Sequence, residues 1–424
     1  MTPLQLYPDE AQYWWWSLHP ALGYFSKPPL IGWCIWLFTH IFGRSDWAIR
    51  LASPLFHAGT ALLIYAIAER VEGRLLAVWS ALAYATIPGV AYSSGLMTTD
   101  VPLLFCWAVA VYALLRALDE RGWRWTVICG VAIGVGLLAK YAMLFFFVGL
   151  LLASTVSTKV RKCVFSRRGL LIAAIAVLLL SPNIYWNWRH NFLTYGHTAA
   201  DADWSSATYS VKNVLFFTIG QFGVFGPLLM AGFLIALWRL AASDERSEEK
   251  LVLAAVALPP LLAMLLQSFI SVANANWAAP AYVSATPLAV MELIEVPWAI
   301  LGSFIVDTAA MLLLWLILIC PGTASALGQA NAFKREVGWG QLGHDVTAAA
   351  HSRRFDAIAV ANRSLMAELT YYAPSVPVPL RAWDGNGILA NCFDLAIPLS
   401  RLDAHVLLVL LPQEASAVLP SFES

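Results

Sequence analysis

Apolar residues run along this chain in blocks of about 20, the length a helix needs to cross the hydrocarbon core of a bilayer, and short polar connectors separate them. The blocks fall at 47–68, 75–94, 101–118, 124–141, 142–157, 169–186, 212–238, 251–270, 278–295 and 298–320. The fourth and fifth also read as one apolar stretch broken at Lys140. Residues 8–43 carry a different pattern. Trp14, Trp15 and Trp16 stand among Asp9, Glu10, Gln12 and His19, as in an amphipathic helix lying in the headgroup plane. Pro28-Pro29 opens a second helix of that kind, with Trp33, Trp36 and Phe38. From Lys334 onward the spacing predicts a helix at 341–352, a strand at 356–361, a helix at 363–372 and a strand at 405–411. The pattern as a whole predicts an all-α polytopic membrane protein in three parts: interfacial helices at 1–46, a transmembrane bundle of about ten spans at 47–321, and a small soluble α/β domain at 334–424.

Composition and charge refine this picture. Of the 424 residues, 60% are hydrophobic and 12% charged, with a mean hydropathy of +0.68, which excludes an ordinary soluble domain. The formal net charge is zero and no long basic run occurs, so nucleic acid is not an expected partner. The six cysteines, Cys34, Cys106, Cys129, Cys163, Cys320 and Cys392, show no C-x-x-C or Cys/His ligand spacing and are expected as buried thiols. The 19 tryptophans and 14 tyrosines suit a protein with many membrane–water interfaces.

Orientation follows from Lys159, Arg161, Lys162, Arg167 and Arg168, whose loop is cytoplasmic by the positive-inside rule. Alternation puts Arg70, Arg74, Arg121, Arg124 and the charged stretch 244–250 on that side. It puts Asp9, Glu10, Lys27, Asp100, Lys140, the 187–210 loop and Asn274-Ala-Asn-Trp277 on the other. The acids and isolated lysines thus gather at the extracytoplasmic face, and an ionised group at membrane depth is a functional hypothesis by default. The same alternation places Met1 outside with no span before it, so a first helix upstream of this sequence is expected.

Four motifs now stand out: Pro8-Asp9-Glu10-Ala11-Gln12-Tyr13; Tyr24-Phe25-Ser26-Lys27-Pro28-Pro29-Leu30; Phe42-Gly43 with Ala48-Ile49-Arg50-Leu51; and Leu96-Met97-Thr98-Thr99-Asp100-Val101-Pro102. Together they resemble the bacterial branch of the GT-C membrane glycosyltransferases, which includes the aminoarabinose transferases of lipid A, the lipopolysaccharide-core galacturonosyltransferases and, more distantly, the protein O-mannosyltransferases. The resemblance weakens through Asn274-Ala-Asn-Trp-Ala-Ala-Pro-Ala-Tyr282. It implies a GT-C-type bundle in the bacterial inner membrane with its active site facing the periplasm. The implied partners are a polyprenyl-phosphate-linked sugar donor, a lipid A, lipopolysaccharide-core or other envelope acceptor, and the membrane lipids. Relatives near the aminoarabinose transferases carry, where this chain has Ser26, a Glu that can help hold a divalent metal; the resemblance leaves a divalent metal cofactor open, with Asp100 as its candidate ligand.

The chemistry of such a transfer assigns roles. In an inverting displacement the acceptor oxygen loses its proton as it attacks the anomeric carbon, which calls for a carboxylate as general base, and Asp9 is the candidate. The leaving lipid phosphate needs a fixed cation, for which Lys27, held by two prolines, is the first candidate and Lys140 the second. Glu10 and Asp100 are candidates for orienting sugar hydroxyls. Tyr13, Tyr24, Asn276 and Trp277, which lie in the matching motifs, are expected to line the substrate.

Each assignment has a structural alternative. Asp9 and Glu10 suit the first turn of a helix, Asp100 a helix N-cap, and both lysines the snorkelling position at a span's end. His57, in mid-span, is read as a packed or hydrogen-bonded histidine. His190, His197, Asp201 and Asp203 are read as a solvated loop, and Trp14–Trp16 as interfacial anchors. Three other functions compete: a protein O-glycosyltransferase of the same fold, a transporter or flippase of lipid-linked sugars, and an inactive scaffold. A transporter shows inverted repeats and midplane charges, and neither is legible here.

Overall fold

The computed structural model describes residues 4–119, 122–243, 247–326, 328, 331, 333–385, 389–400 and 403–422. Met1, Arg121 and residues 244–246, which entered the orientation argument, lie outside the described residues. The chain divides into two units. One comprises Met1–Ser26, Gly32–Ile49 and Leu316–Ser424, and the other Lys27–Ile31 and Arg50–Trp315.

The larger unit is a bundle of helices, and all of the apolar blocks are helical. They are not uniform straight spans. Among the described residues five helices are long and apolar enough to cross a bilayer: Asp46–Glu72, Asp100–Asp119, Arg167–Arg189, Glu248–Ile270 and Pro297–Ile319. The block at 212–238 is two helices, Val211–Phe225 and Pro227–Ala242, bent by 107°. The bend has a local cause. Gly226 sits between them at φ +98°, where a side chain is strained, and Pro227 then starts the second helix without needing an N–H partner. A Cβ on Gly226 would stand 2.5 Å from Asp307 Oδ1. The block at 75–94 breaks at Ile87-Pro88, into Arg74–Thr86 and Pro88–Ser93, with Ile87 at φ −51° and ψ 124°. Blocks 124–141, 142–157 and 278–295 are short helices, and Pro280–Ile294 is buried along nearly its whole length, which is why its sequence is apolar on every face.

Close packing uses small residues. Gly130 and Gly134, four apart on the Arg124–Ala139 helix, let the Arg167–Arg189 helix approach until a Cβ at Gly134 would lie 3.2 Å from the Ala176 Cα. Trp107 of the Asp100–Asp119 helix packs edge-on against Phe146 of the Leu144–Val156 helix at 5.2 Å in the core. Charges sort to the ends of the helices. Arg70 pairs with Asp119, Lys159 with Glu248 at 3.0 Å, Lys250 with Glu72 at 3.3 Å, and Arg239 with Glu292 and Glu295 at 2.7 Å each. The Asp100–Asp119 helix runs from that end to the opposite one, where Asp100 meets Lys140 and Asn276.

The smaller unit begins with the Pro8–Ser17 helix and ends in the α/β region. Three short parallel strands, β1 (Ala357–Val360), β2 (Leu380–Ala382) and β3 (Val406–Val409), form an open sheet in the order β2-β1-β3, with Ile358 opposite Leu380 and Leu407. The central strand is fully buried, and β2 escaped the sequence reading because three residues carry no periodicity. Helices Trp339–Ser352 and Arg363–Tyr372 cover the sheet, the second capped by the Asn362 side chain on the Ser364 and Leu365 amides. The tryptophan run is a correction to the expected interfacial anchors. Trp14 and Trp16 are buried in this unit, Trp14 against Tyr371 at 4.8 Å with the Arg44 guanidinium 4.6 Å over both rings, and Trp15 packs on Phe393. The rings find protein instead of headgroups because the C-terminal helix supplies the apolar surface they need.

The cysteines also differ from expectation. All are free, and Cys106, Cys129, Cys163 and Cys392 are buried, but Cys34 is half-buried and Cys320 exposed.

Candidate active site

In the bundle, Asp100 opens its helix after Thr98-Thr99 and Lys140 follows the last residue of the Arg124–Ala139 helix. At Lys140 the backbone turns extended, at φ −159° and ψ 136°, before the short turn Tyr141–Met143. That break brings the ammonium to Asp100 Oδ1 at 2.6 Å. The other carboxylate oxygen, Oδ2, accepts from the Asn276 amide at 2.9 Å. Asp100 is buried, and in so apolar a bundle the pair persists only because both oxygens are answered. The sequence treated Asp100, Lys140 and Asn276 as three separate candidates, and the fold makes them one cluster.

Asn276 and Trp277 lie on the turn Ala275–Ala278. Polar groups that the sequence reading passed over hold this turn in place. The Gln221 amide donates to Ala275 O at 3.3 Å, Tyr282 donates to Gln221, and Asn213 donates to Ser271 O at 2.8 Å. Beside Lys140, the Tyr141 hydroxyl donates to Asn183 Oδ1 at 2.7 Å, and Asn187 Oδ1 accepts from the Thr194 amide at 3.2 Å. Asn183 and Asn187 stand four apart, on one buried face of a helix that runs to Arg189, past the expected end of its apolar block at 186.

Lys27 does not stand alone. Its ammonium lies 3.6 Å from Asp201 Oδ2, and His197 Nδ1 approaches the same oxygen at 3.3 Å. Burial pushes the Asp201 carboxyl up, but the His197 ring and the Lys27 ammonium beside it outweigh this and hold it below the usual range. Asp201 and His197, assigned above to a solvated loop, therefore belong with the candidate residues. His57 is buried and hydrogen-bonded at both ring nitrogens, to Tyr84 and Ser93 at 3.0 Å each.

In the smaller unit Asp9 and Glu10 start the Pro8–Ser17 helix and then diverge. Asp9 Oδ1 accepts from Arg363 at 2.9 Å, and the same guanidinium nitrogen donates to Gln12 at 2.6 Å. Nothing in the sequence pointed to Arg363, some 350 positions away. Glu10 is buried with Oε2 accepting the Tyr7 amide at 3.1 Å, which is the capping geometry weighed as its alternative. Tyr13 and Tyr24, expected to line the substrate, are packed inside this unit. Tyr13 lies on Trp16, while Tyr24 stacks on Trp16 at 4.5 Å and donates to Trp16 O at 3.0 Å, and burial pushes its phenol up to about 12. Their role there is to set the turn after the helix.

A divalent metal finds no ready donor set. Among the described residues no three His, Cys, Asp or Glu side chains converge, and the Asp100 oxygens already face an ammonium and an amide N–H, which repel a cation.

Comparison with known proteins identifies the lineage. A protein-family model described as dolichyl-phosphate-mannose-protein mannosyltransferase matches residues 26–186. The lipid A galacturonosyltransferase RgtD of Rhizobium johnstonii is 35% identical over 365 residues, covering 86% of this chain and 76% of that protein. The chain belongs to the GT-C membrane glycosyltransferases. The undecaprenyl phosphate-alpha-4-amino-4-deoxy-L-arabinose arabinosyl transferase of Pseudomonas aeruginosa is 33% identical over 151 residues, 31% of this GT-C chain and 27% of the relative. The structure of ArnT from Cupriavidus metallidurans bound to undecaprenyl phosphate matches with a TM-score of 0.70 at 16% identity, over 99% of this chain and 92% of that one. At that identity the likeness is one of fold. Glycosyl transfer is thus the general class of chemistry of this GT-C protein.

Proposed function

We propose that the protein transfers a sugar, of the hexuronic acid class, from a polyprenyl-phosphate donor to lipid A or the lipopolysaccharide core at the periplasmic face of the inner membrane, with inversion. The observation that carries this reading is the buried Asp100–Lys140–Asn276 cluster with Lys27 as a second cation in the same bundle. The similarity to a lipid A galacturonosyltransferase supports the choice of sugar and acceptor.

The displacement balances as follows. The acceptor hydroxyl gives its proton to the Asp9 carboxylate while its oxygen bonds to the anomeric carbon. The bond from that carbon to the phosphate oxygen breaks, and the electron pair leaves with polyprenyl phosphate. The donor is a phosphodiester with one negative charge and the product a monoester that approaches two, so a cation at the phosphate stabilises the transition state more than the ground state. Lys27 takes that role. Asp100 keeps acceptor capacity beyond its contacts with Lys140 and Asn276, and it is assigned to the sugar hydroxyls. In this scheme Lys140 and Asn276 position Asp100, and Arg363 with Gln12 positions Asp9. Glu10 holds the helix start on which Asp9 sits.

Mass spectrometry of lipid A and core oligosaccharide tests this in cells carrying the wild-type gene, a deletion, and the variants Asp9→Asn, Lys27→Ala and Asp100→Asn. A hexuronic acid lost in the deletion, and reduced by about 100-fold or more in Asp9→Asn, is the expected outcome. A deletion that leaves both glycans unchanged overturns the acceptor assignment, and a variant with full activity removes its residue from the mechanism.

A further inference from the structure

We propose that Asp201 is a stand-in for the donor phosphate: its carboxylate holds the Lys27 ammonium, on a strap that yields the contact to a polyprenyl phosphate. This rests on the reading of Lys27 as the phosphate-binding cation.

Three observations converge on it. A carboxylate and a phosphate present the same kind of oxyanion to a lysine, which binds as a point charge and not by a fixed fork. Asp201 supplies such an oxyanion 3.6 Å from Lys27 Nζ, and His197 one turn earlier steadies the carboxylate at 3.3 Å. Both partners are partly solvated, with side chains 27% and 42% exposed, so an incoming anion can exchange with the carboxylate.

The second observation is where the Leu193–Ala202 helix that carries Asp201 is held: Tyr195, in its first turn, packs on Tyr141 at 5.1 Å. Thr194 is its buried residue. Its backbone is tied at one end by Asn187 on the Thr194 amide and at the other by Gln267 on Ala202 O. Its last turn is tied by Gln267 and by the contact of Asp201 with Lys27.

The third is strain. The non-glycine residues with a left-handed backbone among the described residues are Asn191 (φ 52°), Phe192 (φ 56°), Asp203 (φ 49°) and Tyr209 (φ 46°), and the first three adjoin the two ends of this helix. Such a conformation is unfavourable for any L-residue and more so for a bulky aromatic one. Strained joints of this kind persist where the surroundings impose them, and they gather at switches and ligand clamps. Here they bracket one short helix whose last turn holds the lysine.

The test is the affinity of the purified full chain in nanodiscs for undecaprenyl phosphate. Asp201→Asn is expected to bind it roughly threefold to fivefold tighter, because no carboxylate has to be displaced. Lys27→Ala is expected to bind more weakly, and adding Asp201→Asn to Lys27→Ala to change nothing further. Asp203→Asn, which removes the same charge two positions away, is expected to stay within about twofold. If Lys27→Ala weakens binding but Asp201→Asn does not tighten it, the stand-in is wrong while the role of Lys27 survives. If Lys27→Ala has no effect, both fall. Hydrogen exchange on the wild-type protein covers the case in which Asp201→Asn does not fold. Undecaprenyl phosphate is expected to speed amide exchange across 193–202, and unchanged or slower exchange overturns the strap.

Discussion

Asp100 is a carboxylate in an apolar bundle whose charge is answered by one ammonium and one amide. Removing one partner of such a pair leaves an uncompensated buried charge, at a cost of about 3–5 kcal/mol, whereas removing both together is far less damaging. Lys140→Met is therefore expected to lower thermal stability in detergent sharply. Adding Asp100→Asn to it recovers most of the stability, and sugar transfer stays lost in both. A double variant as unstable as Lys140→Met would mean that the packing of Lys140, not its charge, is what matters. Asp201 gives a pH prediction. Its carboxyl is held below the usual aspartate value of 3.8, so its contribution is complete above that value and is lost as pH falls through the lower folded value. The Leu193–Ala202 helix is expected to loosen toward protease as pH falls below about 4.

Among the elements, the bend at Gly226 divides one apolar block into two helices 107° apart. Gly226→Ala places a Cβ 2.5 Å from Asp307 Oδ1 at a positive φ. The backbone part alone costs about 1–2 kcal/mol, and the clash adds to it. In an Asp307→Ala background the same substitution is expected to lose only the backbone part, as read from the melting temperature. Gly134→Val drives a side chain into Leu179 and Ala176 on the neighbouring helix, with an expected loss of about 1–3 kcal/mol. In the smaller unit the Arg363–Asp9 pair is partly exposed, 36% and 41%, so Arg363→Ala is expected to cost no more than about 1 kcal/mol of stability. A loss of transfer activity well beyond that, with the melting curve nearly unchanged, would support a positioning role for Arg363.

At the scale of the whole molecule, a transferase and a flippase make opposite demands. Vesicles carrying the protein and a polyprenyl-linked sugar are expected to form glycosylated acceptor without moving the donor between leaflets. Donor translocation without product would replace the transferase reading. Charge placement already favours transfer. The bundle pairs Arg70, Lys159, Arg239 and Lys250 with acids at one set of helix ends, and it keeps the Asp100 cluster for the other.

The sequence by itself determined the helical blocks, the membrane class, the α/β character of the last 90 or so residues, and the residue types of the site. Hydrophobic periodicity and charge asymmetry are local properties of a chain, so they are legible without a fold. It did not determine that Lys140 serves Asp100, that Asp201 serves Lys27, or that Arg363 serves Asp9, because each pair joins positions 40 to 354 apart whose meeting depends on helix packing. Nor did it separate a span from a bend at Gly226, since apolar content is the same on both sides of the break. Tertiary structure decided which polar residues are partners. A buried charge has to be answered by whatever side chain the fold brings within reach, and composition does not say which one that is.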